Sequence, residues 1–505
     1  MDNRIINEMV KNQIDPDITK NILKLVNSPD FKNNEPVKVK GIPAFNGKTI
    51  VDISGNIKWE GDIDQAAANL RNLTDTVKIP VKKKSGNGKI ILGRKELEEI
   101  GLHLLPLTAL GILNGGSATS YVDRIKNNSF NRPLFNCSKD LFDNFSDKYK
   151  NFPKGLTPAY INRDYSDGYS FSELKMRSIL LKIKKYKTLI GEADFKHTLF
   201  QMTSCCNNSQ IEQGFKKYSS SSRILKKLID ETDTDITDIL TGIQPMIPAF
   251  THSSSGRIKE IFTCAYGETG KMLPLPGGHG QNFQVLKDVY KKLYAEGKRF
   301  IYLGNVDNIG FNIDPAEVAV LALSGSQAAF DFSFKTSVDV KGGILVYDEN
   351  DRISCVDIGP AISMSDVEKE EKEGKAILFN CATGLFNLEY LTDNIDKIIS
   401  NLPLRISDQE KDAGLYSQAE QTTWEVIGLL DDFIIFGVDK YKRFLASKLL
   451  MENFLISRPE SLISYFDKNP QDPMNSVSVK MNRGLDNILK EEMELTYSGQ
   501  RWIQP

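Results

Sequence analysis

The chain has 505 residues, 40% apolar and 26% charged, with 64 basic against 66 acidic side chains and a net charge of −2. A single hydrophobic core organises at most about 250–300 residues, so two or three domains are expected. The even charge balance excludes a protein held on nucleic acid by a broad positive field, and no apolar run reaches the roughly 18 residues that a membrane span needs.

The N-terminal stretch MDNRIINEMVKNQIDPDITK has no basic segment leading into an apolar one, so no signal peptide and a cytoplasmic location are expected. The cysteines Cys137, Cys205, Cys206, Cys264, Cys355 and Cys381 form no CxxC pair and read as reduced thiols. The histidines His103, His197, His252 and His279 lack the spacing of a zinc site.

Residues 1–105 read as an N-terminal domain, with helical spacing over Lys20–Val26 and Gln65–Leu73, a charged loop at 81–87 and a strand at Lys89–Leu92. From 106 to 400 short apolar runs alternate with helical segments: strands at Leu107–Leu113, Thr198–Thr203 and Arg299–Leu303, helices at Phe171–Lys185 and Val285–Ala295. This alternation predicts an α/β domain, a doubly wound and mostly parallel sheet. Ligands of such sheets sit beyond the carboxyl ends of the strands. Residues 401–505 read as a mainly helical C-terminal domain, clearest over Ala419–Asp432 and Tyr441–Ile456.

Several motifs follow these strands. Asn114-Gly115-Gly116-Ser117-Ala118-Thr119 could present backbone N–H groups to an anion, though a glycine pair after a strand is also an ordinary turn. It is neither GxGxxG nor a P-loop. Lys154, between Pro153 and Gly155, could be a fixed phosphate-binding cation or a surface turn residue. Pro276-Gly277-Gly278-His279-Gly280 implies close backbone approach. In Gly304-Asn305-Val306-Asp307-Asn308 a carboxylate at a strand's end suits a divalent metal or ribose, or caps a turn. Lys335–Gly343, Asp357 and Arg443–Lys448 (RFLASK) are ambiguous by themselves; RFLASK reads as a packed helix with a basic face.

Taken in order, these segments resemble the eukaryotic-type UDP-sugar pyrophosphorylases, specifically the UTP–glucose-1-phosphate uridylyltransferase type, from about Leu110 to Lys448. LNGGSATS resembles that family's LNGGLGTS; FPKG its lysine motif; MTS with Asn207-Asn208 its MNSFNT; PGGHG its PPGHG; GNVDNIG its SNIDNLG; KTSVDVKGGIL its KTRADVKGGTL; Phe379-Asn380 its FNT; and RFLASK its RFLPVK. Three departures stand out. Ala118 replaces a loop glycine, Lys154 lies far beyond Thr119 across an apparent insertion (with Lys126 the competing lysine), and Asp357 stands where glutamate is usual. The hexapeptide period of a β-helix is also missing from the C-terminal region.

The resemblance implies a nucleotide-diphospho-sugar transferase core with small N- and C-terminal domains. It implies that UTP and a sugar 1-phosphate, with Mg²⁺, yield UDP-glucose and pyrophosphate reversibly. Lys154 and Lys448 would clamp the phosphates. Asn114, Gly115, Gly116, Thr119, Gln244, Gly277, Gly278 and Asp307 would hold the nucleotide, Asp307 also serving the metal. His279, Asn308, Gly343, Asp357 and Asn380 would line the sugar side. N-acetylglucosamine 1-phosphate or a broad set of sugars are the alternatives within this chemistry. A non-catalytic UDP-sugar sensor is the alternative of another class. The sequence carries no expectation of oligomeric state.

Overall fold

The computed structural model describes residues 3–31, 37–55, 57–73, 88–118, 121–336, 339, 342–359 and 361–505. The charged loop expected at 81–87 lies outside them. At the centre is a sheet built from β1 (Ile50–Asp52), β2 (Thr108–Leu113), β3 (Leu199–Ser204), β4 (Leu240–Gln244), β5 (Phe300–Asn305), β6 (Ala328–Phe334), β7 (Gly343–Asp348), β8 (Ile353–Asp357), β9 (Leu378–Asn387) and β10 (Phe433–Val438). The order across it is β1-β10-β6-β9-β5-β2-β3-β4, with β7 joined to β9 and β8 to β7. Along this order neighbours run parallel, except that β9 is antiparallel to both β5 and β6; off it, β7 is antiparallel to β9 and β8 to β7. The β7–β8 hairpin pairs Gly343 with Asp357.

The central strands are buried along their whole length because both faces are covered, as in parallel sheets generally. Alternate residues of β2 serve opposite layers. Leu110 and Ile112 join Phe171, Leu174 and Leu321 on one side; Ala109 and Leu113 join Phe283, Tyr290 and Leu391 on the other. The mostly parallel, doubly wound expectation therefore holds, with β9 as its antiparallel member. Helix α1 (Phe171–Leu189) begins on a capping box in which Ser170 and Glu173 exchange bonds with each other's backbone.

The sheet crosses both expected domain boundaries. β1 comes from the N-terminal segment, and β10 lies beyond residue 400. The helical reading of Ala419–Asp432 is corrected. Arg405–Lys411 and Gly414–Glu420 form an antiparallel pair, and a 3-10 turn at Thr423–Leu429 leads into β10. Spaced apolar residues there imitate a helix, but Tyr416 and Ser417 pair with Thr251 and Phe250 of a neighbouring strand. The apparent insertion folds as three helices, Arg124–Phe130, Arg132–Cys137 and Lys139–Tyr149. Its Phe135, Phe142 and Phe145 pack on Leu450, Phe454, Leu462 and Phe466 of the C-terminal helices. No helix of the described residues is long and apolar enough to cross a membrane.

Candidate active site

The carboxyl ends of β2, β3, β4 and β5 converge with the segment after β10. At the end of β2, Asn114 is fully buried, and its amide donates to Gln201 Oε1 at 3.1 Å. Asn207, after β3, donates to the carbonyls of Asn114 (3.2 Å) and Gly116 (3.3 Å), bracing the loop from below. The N–H groups of Gly115 and Gly116 donate to no described residue. Thr119 lies outside the described residues. The loop also pairs with the FPKG segment: Lys154 N donates to Gly116 O (3.0 Å) and Ala118 N to Phe152 O (2.9 Å). This ribbon carries Lys154 to the loop across the inserted helices. The competing Lys126 lies on the exposed face of the first of them.

Lys154 is only 5% exposed. Its Nζ donates to Ser447 O at 2.7 Å and sits 2.8 Å from the centre of the Tyr121 ring. Burial pushes its ammonium down to about 7, against the raising influence of Asp307 and Glu452. Asp307 itself follows β5, and its Oδ1 is buried without a hydrogen-bond partner among the described residues; so is Ser447 Oγ. Buried polar atoms are normally satisfied, so these two are poised for a ligand.

Among the described residues no group of three metal-ligating side chains exists. A lone carboxylate with a free buried oxygen still fits magnesium, which takes one or two carboxylates and draws its other ligands from phosphates and water.

Gln244 ends β4. Its Nε2 donates to Gly278 O and to Gln281 Oε1, each at 2.8 Å. The glycines of PGGHG answer to close approach, as expected. A Cβ on Gly277 would lie 2.3 Å from Gln281 Nε2, and one on Gly278 2.4 Å from Gln421 O. Gly278 also has φ +81, which favours glycine.

RFLASK corrects the helical reading. A short helix, Lys440–Arg443, stops, and the chain runs extended until Leu450–Ser457. The cause is Asn308. Its Nδ2 donates to Arg443 O (3.0 Å), and its Oδ1 accepts from Leu445 N and Gly310 N (3.0 Å each). Asn308, expected on the sugar side, also lines the cavity described below, and its carboxamide ties the Asp307 turn to the segment that presents Lys448. Lys175 of α1 supports the same turn from beneath. Fully buried, its Nζ donates to the carbonyls of Asn308, Ile309 and Phe311.

A cavity of about 260 Å³ opens over these elements. It gathers His279, Asp307, Asn308, Gly343, Asp357, Asn380 and Lys448 from the sequence reading. Gln244 and Gly115 adjoin each other outside its lining, the Gly115 Cβ position lying 3.4 Å from Gln244 Oε1, and Lys154 N bonds the carbonyl of Gly116. His279 Nδ1 accepts from Thr423 N at 3.1 Å, so its Nε2 carries the proton. Burial, reinforced by Lys448, pushes the imidazole down to about 4 and keeps it neutral. Asn380 Oδ1 accepts from Ala382 N at 2.8 Å, which orients its amide. The sequence reading missed Arg405, Glu425 and Trp424 in the cavity wall. Arg405 Nε donates to Glu425 Oε1 at 2.9 Å, and its Nη1 lies 3.7 Å from Asp357. No local motif announced them, because they come from a strand edge and a 3-10 turn.

The family model for UTP–glucose-1-phosphate uridylyltransferase matches residues 179–487, more than half of the chain. The chain belongs to the UTP–glucose-1-phosphate uridylyltransferase family. Among curated members of this family it is similar to the UTP–glucose-1-phosphate uridylyltransferase of Hordeum vulgare, 27% identical over 255 residues (49% of this chain, 53% of that protein). The enzyme of the same name from Pyrus pyrifolia is 26% identical over 216 residues, covering 41% of this chain and 45% of that protein. The chain thus spans about half the length of the curated relatives it matches. In fold it is similar to a UDP-glucose phosphorylase from Trypanosoma brucei, with TM-score 0.54, 15% identity, and 90% of this chain and 78% of that one covered. A UDP-glucose pyrophosphorylase variant from Leishmania major in complex with UDP-glucose gives TM-score 0.54 at 14% identity, with the same shares covered.

Proposed function

We propose that the protein is a magnesium-dependent uridylyltransferase that makes UDP-glucose and pyrophosphate from UTP and glucose 1-phosphate. The observation that carries this reading is the convergence on one cavity of Lys448, Asp307, His279, Asp357 and Asn380, with Gln244 and the Gly115–Gly116 backbone beside it.

The free N–H groups of Gly115 and Gly116 and the Gln244 oxygen match the carbonyl and imide edge of uracil. His279, neutral with Nε2–H as donor, together with Asn380 and Asp357, offers hydrogen bonds to sugar hydroxyls. A phosphate oxygen of glucose 1-phosphate attacks the α-phosphorus of UTP in line, and pyrophosphate leaves with the β-phosphorus–oxygen bond intact. Such a transfer needs positioning and charge neutralisation rather than a covalent enzyme intermediate. Lys448, at the cavity wall, neutralises the reacting phosphates. Asp307 would hold magnesium, which supplies neutralising charge across the triphosphate. One phosphoanhydride replaces another, so the reaction runs in both directions.

The test is pyrophosphate release from UTP across sugar 1-phosphates. Glucose 1-phosphate should be the preferred acceptor. Preference for N-acetylglucosamine 1-phosphate would reassign the sugar.

Lys154 gives a pH signature. It must be charged to hold phosphate, and burial sets it at about 7 in the free protein. As pH rises through that value the free enzyme loses the cation, so kcat/KM for UTP should fall, by up to about tenfold per pH unit. Bound phosphates keep the lysine protonated, so kcat should stay nearly flat. His279, at about 4, adds no limb between pH 5 and 8. A pH-independent kcat/KM from 6 to 9 would remove Lys154 from nucleotide binding.

A further inference from the structure

The Gln244 carboxamide is held in one orientation. The Gly278 acceptor is a backbone carbonyl, which cannot donate, so the group facing it at 2.8 Å must be the NH₂ of Gln244. The second Nε2 hydrogen goes to Gln281 Oε1, also at 2.8 Å. Both donors are consumed, and the Gln244 oxygen is turned toward Gly115. Gln281 is 3% exposed and Gln244 5%, so water does not compete. Gly277 packs against the Gln281 amide so closely that a Cβ would lie within 2.3–2.7 Å of its Nε2, Cδ and Oε1.

We propose that Gln281 is a specificity-determining positioning residue: with the Gly278 carbonyl, it locks the Gln244 amide with its oxygen toward the base and so selects uracil over cytosine. This rests on the proposed uridylyltransferase reading. Uracil offers its N3–H to that oxygen. Cytosine presents an N3 lone pair there, which repels a fixed acceptor and is satisfied only if the amide turns over. A buried polar site rejects a ligand that leaves its groups unpaired. Gln281 touches no substrate in this scheme; it acts by denying Gln244 its alternative orientation.

The experiment compares UTP with CTP, in turnover and in equilibrium binding, for wild type, Gln281→Met and Gln281→Glu. Methionine removes the acceptor at similar length, whereas glutamate keeps an oxygen facing Gln244. The UTP-to-CTP ratio should fall about tenfold in Gln281→Met, the scale of one hydrogen bond, and should be retained in Gln281→Glu. A ratio cancels any general loss of folded protein. A ratio within twofold of wild type in Gln281→Met, or an equal loss in both variants, overturns the lock. Wild type binding UTP no more tightly than CTP overturns the lock together with the uracil reading. Absent turnover with a UTP preference in binding overturns the proposed activity alone, and the binding ratios then decide the lock.

Discussion

Replacing Lys448 by alanine should lower kcat by about a hundredfold or more, the cost of removing one charge-stabilising donor from a reacting centre. The side chain lines the cavity with Asp307 and His279, on a segment held by two hydrogen bonds of Asn308, whose third bond, to Gly310, fixes its own turn. Those bonds run through the backbone of Arg443, Leu445 and Gly310, so the substitution leaves the frame intact. The thermal midpoint should stay within about a degree of wild type, and KM for UTP should change far less than kcat. Steady-state kinetics and a melt on the same preparation decide it. Activity within tenfold of wild type would remove Lys448 from the phosphate role.

The largest stability effect is expected at Arg443, next to the site but fully buried. Its Nη2 donates to Glu317 (3.0 Å) and Asp331 (2.9 Å), and its Nη1 to the carbonyl and side chain of Asn312. Arg443→Met leaves two buried carboxylates without a cation. Breaking such a pair from one side costs about 3–5 kcal/mol, because the remaining charge stays desolvated. Burial already pushes Glu317 and Asp331 upward, with Arg443 opposing. Without the arginine both rise further above their unfolded values. The folded variant then holds protons that the unfolded chain releases, so its stability falls as pH rises above the ordinary carboxylate range and recovers toward acid. Denaturant unfolding at pH 5 and pH 8 should show the larger deficit at pH 8. An equal deficit at both would mean that lost packing, not unpaired charge, is responsible.

Much of the site was legible in the sequence because its parts are short and follow strands. LTALGIL and RFIYL read as buried strands, and the polar segments after them, at Asn114 and Asp307, were read as lying beyond the strands' carboxyl ends, where ligands of α/β sheets bind. The PKG context favoured Lys154 over Lys126, and FPKG pairs with the glycine loop. RFLASK misled because its spacing is compatible with a helix. Hydrogen bonds from Asn308, more than a hundred residues earlier, hold it extended. At Ala419–Asp432, pairing of Gly414–Glu420 with Arg405–Lys411 and with Phe250–Thr251 gives a strand edge followed by a 3-10 turn instead of a helix. The Arg405–Glu425 pair in the cavity wall and Lys175 beneath the Asp307 turn leave no local trace, because their partners are assembled only by the fold.

The most direct measurement is the fate of the α-phosphorus. UTP labelled at that position, incubated with magnesium and glucose 1-phosphate, should deliver its label into UDP-glucose and release unlabelled pyrophosphate. Failure to form a labelled sugar nucleotide from UTP that demonstrably binds would contradict the assignment of this cavity to uridylyl transfer.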